Sequence, residues 1–471
     1  VPPPATVPDV GFSPAQFPAQ TLAGGSGGTS AGLTLSEVRG VCVAFDSATL
    51  EPAALWTRLD DPNGPFRVQS WSIKRGRSYE LDRTGTGTAT VAIADVNGDF
   101  DPTNAGSFFA GKLNPLKQAA IALQNPVTGA WSTVFRGFVE DFAYTLHPSK
   151  KVLFLELQLM DAFDLLAAVE VAPGTAGNTP MKAEQIGNVV YYRTESTVHY
   201  RLSQALADAK WPTALQTIFT GNVHARETVY APRTSILSIL QDAADAEFPG
   251  VANLYVSKDG KVTFHGRKAR FNPTDPQYGI QTWKCGDGAA VQADSTVAQI
   301  RALSFGRSKT NIVNAALATP AEIPDTEIAG QIVTDLPSIN TYGLRSWSAE
   351  NLVTLSGNEN PNLNANDETK LYASYYVNNY KDPQTRVNQV QFRSMLPSDS
   401  RASANWALIC GIEIGDILNV KTTHPGGGGF NEDFYVEGIS YDVSPATGIY
   451  HDVTLTLDVS PKAYYTTNPG L

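Results

Sequence analysis

The chain has 471 residues, a formal net charge of −11, 42% hydrophobic and 17% charged residues, 39 Gly and 30 Pro. An average soluble domain carries roughly 25% charged residues, so this composition points to a β-rich, loop-rich protein with much of its surface covered by neighbours, and leaves open a secreted β-protein with a neutral surface. The acidic balance argues against wrapping nucleic acid, which relies on Lys and Arg displacing phosphate counterions. No apolar run approaches the ~20 residues needed to cross a bilayer, and the N-terminus lacks a basic-then-apolar leader. A soluble chain of roughly two to four domains is therefore expected. The three cysteines, Cys42, Cys285 and Cys410, are too scattered for a zinc site or a disulfide framework.

Residues 1–32 hold six prolines and then a Gly/Ser tract without amphipathic period, which reads as an extended arm and a linker. Residues 33–172 contain strand patterns over 67–74, 88–94, 118–123, 134–144 and 152–160, broken by Gly, Pro and Asn, as in a small antiparallel barrel or sandwich. The pattern changes over 173–290. Helical spacing appears at 200–210 and 235–247, followed by a hairpin around Asp259-Gly260, so this segment is an α+β insert. From 291 to 471 strands return at 300–305, 312–318, 387–393, 417–422, 434–443 and 453–459, with helices expected at 367–380 and 402–409.

One phrase occurs twice. Residues 138–148 (FVEDFAYTLHP) match residues 435–445 (YVEGISYDVSP), with Val, Glu, Tyr and Pro identical, and each copy turns into an alternating strand. Leu155, Leu157 and Leu159 share one face of the first strand; Leu455, Leu457 and Val459 share one face of the second. So wide a spacing is no solenoid period, and it indicates one β-domain used twice. Glu140 and Glu437 hold equivalent places, which implies a shared structural role with an Arg or backbone N–H partner.

Residues 72–83 (SIKRGRSYELDR), 87–91 (GTATV) and 97–104 (NGDFDPTN) resemble the opening of a family of minor tail proteins of long-tailed bacteriophages, and residues 415–420 (GDILNV) with 435–439 (YVEGI) resemble its closing part. The resemblance implies a tail hub: mainly β, with two tube-like antiparallel β-barrels in one chain around an α+β insert. Three such chains would offer a pseudo-sixfold ring at the virion tail tip. The implied partners are the chain itself as a homotrimer, a distal tail or tail tube protein, the tape-measure protein, and tip or fibre proteins, with DNA only in transit and no stable membrane insertion. The arm at residues 1–32 falls outside the family pattern. No hydrolase or fibre repeat follows Leu471, so wall digestion and receptor binding are expected of other chains.

No residue stands out as catalytic, cofactor-binding or metal-binding. Gly24-Gly25-Ser26-Gly27-Gly28 fits the esterase nucleophile pattern but lies in a linker rather than between strand and helix. Asp95, Asn97, Asp99 and Asp101 alternate as in a calcium loop, but Phe100 replaces the needed Gly and Gly106 the closing carboxylate, so an Asx-rich turn fits better. Lys74, Arg75, Arg77 and Arg83 interleave with Glu80 and Asp82, which suits ion pairs within a barrel or between subunits more than phosphate binding. His147, His199, His224, His265, His424 and His451 lack metal or triad spacing, and the seven tryptophans are dispersed like core or interface anchors. Two rival functions remain open: a carbohydrate-binding receptor-recognition module using exposed aromatics and the polar loop at 358–367, and, more weakly, a hydrolase.

Overall fold

A computed structural model of the chain describes residues 38–60, 66–95, 97–148, 152–170, 191–193, 195–231, 233–357, 364–445 and 451–465. The N-terminal arm with its Gly/Ser tract and most of the polar loop, residues 358–363, lie outside the described residues. The protein is mainly β, 39% strand against 25% helix.

Both copies of the repeated phrase form the long strand of a hairpin. Trp131–His147 pairs with Val152–Met160, and Gly429–Pro445 with His451–Pro461. The registers match position for position: Val139 faces Leu159 and Phe142 faces Leu157, while Val436 faces Val459 and Ile439 faces Leu457. Each hairpin also breaks register at the same point, between Val139 and Asp141 in the first and between Val436 and Gly438 in the second, so Glu140 and Glu437 each occupy a β-bulge.

The neighbouring strands repeat too. Outside the first hairpin lie Thr88–Asp95 and then Phe66–Gly76; outside the second lie Arg386–Arg393 and then Ala302–Gly306. On the opposite side, Gln118–Gln124 and Ile417–Thr423 pair with the starts of the two long strands. One order of five antiparallel strands therefore occurs twice. Alternation drives it: Thr88–Asp95 buries every second residue, and Val91, Ile93, Leu155, Leu157, Leu455 and Leu457 all enter a single apolar core common to both units.

The two five-stranded units do not close separately into barrels. They join edge to edge in one fourteen-stranded sheet, and no closed barrel forms among the described residues. Closure of one unit would need its outer strand to pair with another strand of the same unit. In the first unit that outer strand, Phe66–Gly76, pairs instead with the long strand of the second unit.

Between the units, helices Val198–Asp208 and Ile236–Glu247 pack Leu202, Ala205 and Leu206 with Ile239, Leu240 and Ala243 in a separate core. The hairpin Asn253–Val256 and Val262–His265 follows, with Gly260 at positive φ as its turn requires. A third core surrounds Tyr372, Tyr376 and Tyr380 on helix Ala365–Tyr380, which Asn364 caps. Among the described residues no helix is long and apolar enough to cross a membrane.

Candidate assembly site

The seam between the units runs antiparallel from Gly438 opposite Gly76 to Val443 opposite Trp71. Its core side is apolar and closed: Ile73, Trp71, Ile439, Tyr441 and Val443 are all buried, the Trp71 and Tyr441 rings lie 6.3 Å apart, and the Tyr441 hydroxyl donates to the Ile409 carbonyl at 2.7 Å. The paired glycines permit the closest approach. Gly76 has φ +86°, and a Cβ there would lie 2.2 Å from the Glu437 carbonyl oxygen; a Cβ on Gly438 would lie 2.6 Å from the Arg77 carbonyl oxygen.

Charged side chains lock the Gly76–Gly438 end of the seam. Arg75 donates to Glu413 at 2.8 Å and to the Val256 carbonyl, joining the first unit to the second and to the central hairpin. Glu437, in the bulge, accepts from Arg77 at 2.9 Å, from both terminal nitrogens of Arg270 at 2.7 and 2.8 Å, and from Ser460 at 2.6 Å. Burial would push its carboxyl up, but the Arg270 and Arg77 guanidiniums reverse this and hold it down at about 2. Arg270 lies over the ring of Tyr435, 4.5 Å from its centroid. Glu80 accepts from Arg386 at 2.7 Å and from Tyr380 at 3.1 Å; here burial outweighs the Arg386 charge and raises the carboxyl.

The basic cluster at Lys74–Arg83 is thus an ion-pair site, but its partners differ from the interleaved Glu80 and Asp82. Of Asp82 Arg77 reaches the backbone carbonyl and not the carboxylate, Arg83 pairs with Asp242 and Asp245 on the central helix, and Lys74 is exposed. The expected likeness of Glu140 and Glu437 holds for their backbone and fails for their environment. Glu437 is 1% exposed, whereas Glu140 is exposed and in no ion pair among the described residues.

Asp95 ends its strand as an Asx turn, accepting from the backbone of Asn97, Gly98 and Phe100. Trp56, Trp71, Trp211 and Trp406 are buried, Trp283 donates to Asp416, Trp131 lies against Arg58 and Trp347 against Tyr376. The cysteines are free and buried. His199 and His224 lie near each other in the central segment, and burial first, then the second imidazole, lowers the His199 pKa; His265 is buried among aromatic rings and His424 stacks on Phe305. Residues that the sequence did not single out include Arg270, Arg386 and Glu413. Nothing local marks them, because their ion-pair partners lie more than 160 positions away.

No family model and no curated protein matches the chain. Among solved structures, the tail protein of Neisseria meningitidis MC58 superposes with a TM-score of 0.50 at 10% identity, covering 91% of this chain and 98% of that one. The chain has the fold of a tail protein. Looser alignments join it to a prophage tail protein of Listeria monocytogenes (TM-score 0.42, 10% identity, 89% of this chain and 94% of that one) and to a type VI secretion system component of Escherichia coli (0.43, 8%, 86% and 76%) whose structure has similarity to the T4 bacteriophage tail proteins gp27 and gp5. In this tail-protein fold the seam is a finished edge-to-edge junction between two equivalent units, built from backbone pairing, apolar closure and buried charge.

Proposed function

We propose that the chain is a structural hub at the tip of a long-tailed bacteriophage tail, acting through geometry rather than catalysis. Three copies form a ring of six equivalent β-units, which seats against a sixfold distal tail ring or tube above and presents threefold symmetry to tip or fibre proteins below. The ring surrounds the passage that holds the tape-measure end and later transmits DNA. On this reading residues 1–32 are a docking arm, 33–172 and 291–471 are the two ring domains, and 173–290 is a decoration between them.

The observation that carries the proposal is the internal seam: one chain already joins two copies of one unit in the way neighbouring subunits of a ring would join. The face of the sheet turned from the core supports the passage. Ser72, Thr90 and Gln158 sit side by side on it, as do Ser440, Thr456 and Gln391. The net charge of −11 discourages phosphate binding.

Mass photometry of the purified chain, with images taken down the symmetry axis, tests this. Particles at three times the 50.5 kDa chain mass with six similar lobes are expected. A solely monomeric or dimeric particle rules the hub out.

A further inference from the structure

The first hairpin leaves an edge that the second hairpin fills. Residues 438–443 of the second long strand pair with the seam strand, whereas their equivalents, residues 141–146 of the first, have no strand on that side among the described residues. The counterpart of the seam strand, Ala302–Gly306, pairs with Arg386–Arg393 on one side and with no other strand among the described residues. Each free edge is thus the half of a seam whose other half is not found among the described residues.

The registers say which residues correspond. Val91 faces Trp71 and Val390 faces Leu303, and the two valines lie at the same level of the two hairpins; hence Leu303 and Ser304 stand where Trp71 and Ser72 stand at the seam, and Phe305, beyond a register shift that sets it opposite the buried Val387, keeps the core-facing side that Ile73 has. Burial shows what is missing. Val443 and Ile73 are 4% and 2% exposed, but Leu146, in the place of Val443, is 61% exposed and Phe305, on the side of Ile73, is 47% exposed, while Leu303, in the place of Trp71, is half-buried. Unpaired backbone next to exposed apolar side chains is the property natural edge strands avoid unless a strand is to be added.

We infer that residues 142–146 of one copy are paired antiparallel by residues 303–307 of a second copy, Leu146 opposite Leu303, Thr145 opposite Ser304 and Tyr144 opposite Phe305. The contact is head to tail, the kind that builds a ring when its rotation closes and not a twofold dimer. Glu140 then meets Arg307 and Lys309 of the second copy, as Glu437 meets Arg77 within the chain. One departure follows from the sequence. Asp141 and Ser308 replace Gly438 and Gly76, so this ladder ends one pair earlier than the internal one.

The inference rests on the ring reading, and cross-linking separates the two. Opposed residues on antiparallel strands hold their Cβ atoms about 4.5–5.5 Å apart, within reach of a short thiol cross-linker. In the full chain carrying both Thr145→Cys and Ser304→Cys, such a reagent should give covalent dimers and trimers on a denaturing gel, and either single substitution should give none. The native cysteines are buried and stay silent. Leu146→Glu should convert the trimer to monomer while leaving the unfolding midpoint of the monomer unchanged. A trimer that fails to cross-link, or that survives Leu146→Glu, overturns this seam and leaves the ring standing. A chain that stays monomeric at every concentration overturns both.

Discussion

Glu437 and Glu140 sit in the same bulge of the same hairpin, and their surroundings are opposite. Around Glu437 two guanidiniums, a hydroxyl and a second strand exclude water; around Glu140 there is solvent. The two phrases share Val, Glu, Tyr and Pro and the same bulge, and the difference in surroundings lies across the strand edge. A duplicated element carries its own backbone geometry with it, but not its neighbours.

Substitutions at the two edges should therefore diverge most where burial differs most. Trp71→Ala opens a cavity at the closed seam, and Glu437→Ala leaves two buried guanidiniums without their counterion. Each is expected to cost about 3–5 kcal/mol in urea or thermal unfolding. Glu140→Ala should change monomer stability by no more than about 0.5 kcal/mol. Equal losses at Glu437 and Glu140 would break the comparison.

Acid sharpens it. The Glu437 carboxyl titrates at about 2 in the folded chain against an ordinary value of 4.5, so its contribution is fully present above about 4.5 and is lost as pH falls toward 2. The unfolding midpoint should drop across that window. Glu437→Gln, which has no carboxyl to protonate, should start lower and fall less steeply; parallel curves for the two proteins would remove the buried carboxylate from the account.

Next in size are the glycines. An added methyl at Gly438 would press on the Arg77 carbonyl, and overpacking of this kind costs about 1–3 kcal/mol. Gly438→Ala should therefore destabilise measurably, whereas Asp141→Ala, at the matching point of the free edge, should not. A neutral Gly438→Ala would mean that the seam can widen.

Much of this architecture was legible in the sequence, for reasons the seam makes clear. The repeated phrase located both hairpins, and alternation located their flanking strands, because these signals are local. The short strands Val41–Val43 and Thr282–Gly286 were missed, since so few residues establish no period, and helix Ala162–Ala168 was hidden behind the strand that runs into its Asp161 cap. Two tube-like β-barrels were expected, and among the described residues the strands pair in one fourteen-stranded sheet in which no closed barrel is detected; which strand lies across an edge is decided by chain segments hundreds of residues apart. The same limit applies to charge. Arg75 and Arg77 were legible as ion-pairing residues, but proximity in sequence suggested Glu80 and Asp82, and the actual carboxylates are Glu413 and Glu437.

The smallest contrast concerns one hydroxyl. Tyr441 and Tyr144 are equivalent in the repeat, and only Tyr441 is fully enclosed, donating to the Ile409 carbonyl on helix Ala402–Gly411. Tyr441→Phe removes the donor and leaves that carbonyl buried without it, a loss of about 1–3 kcal/mol, while Tyr144→Phe should be close to neutral in the monomer. If the free edge is completed by another copy, Tyr144 becomes enclosed in the assembled ring. Measuring both variants in dilute monomer and in trimer would then show the Tyr144 effect growing with assembly and the Tyr441 effect unchanged, since the seam around Tyr441 is already closed within one chain.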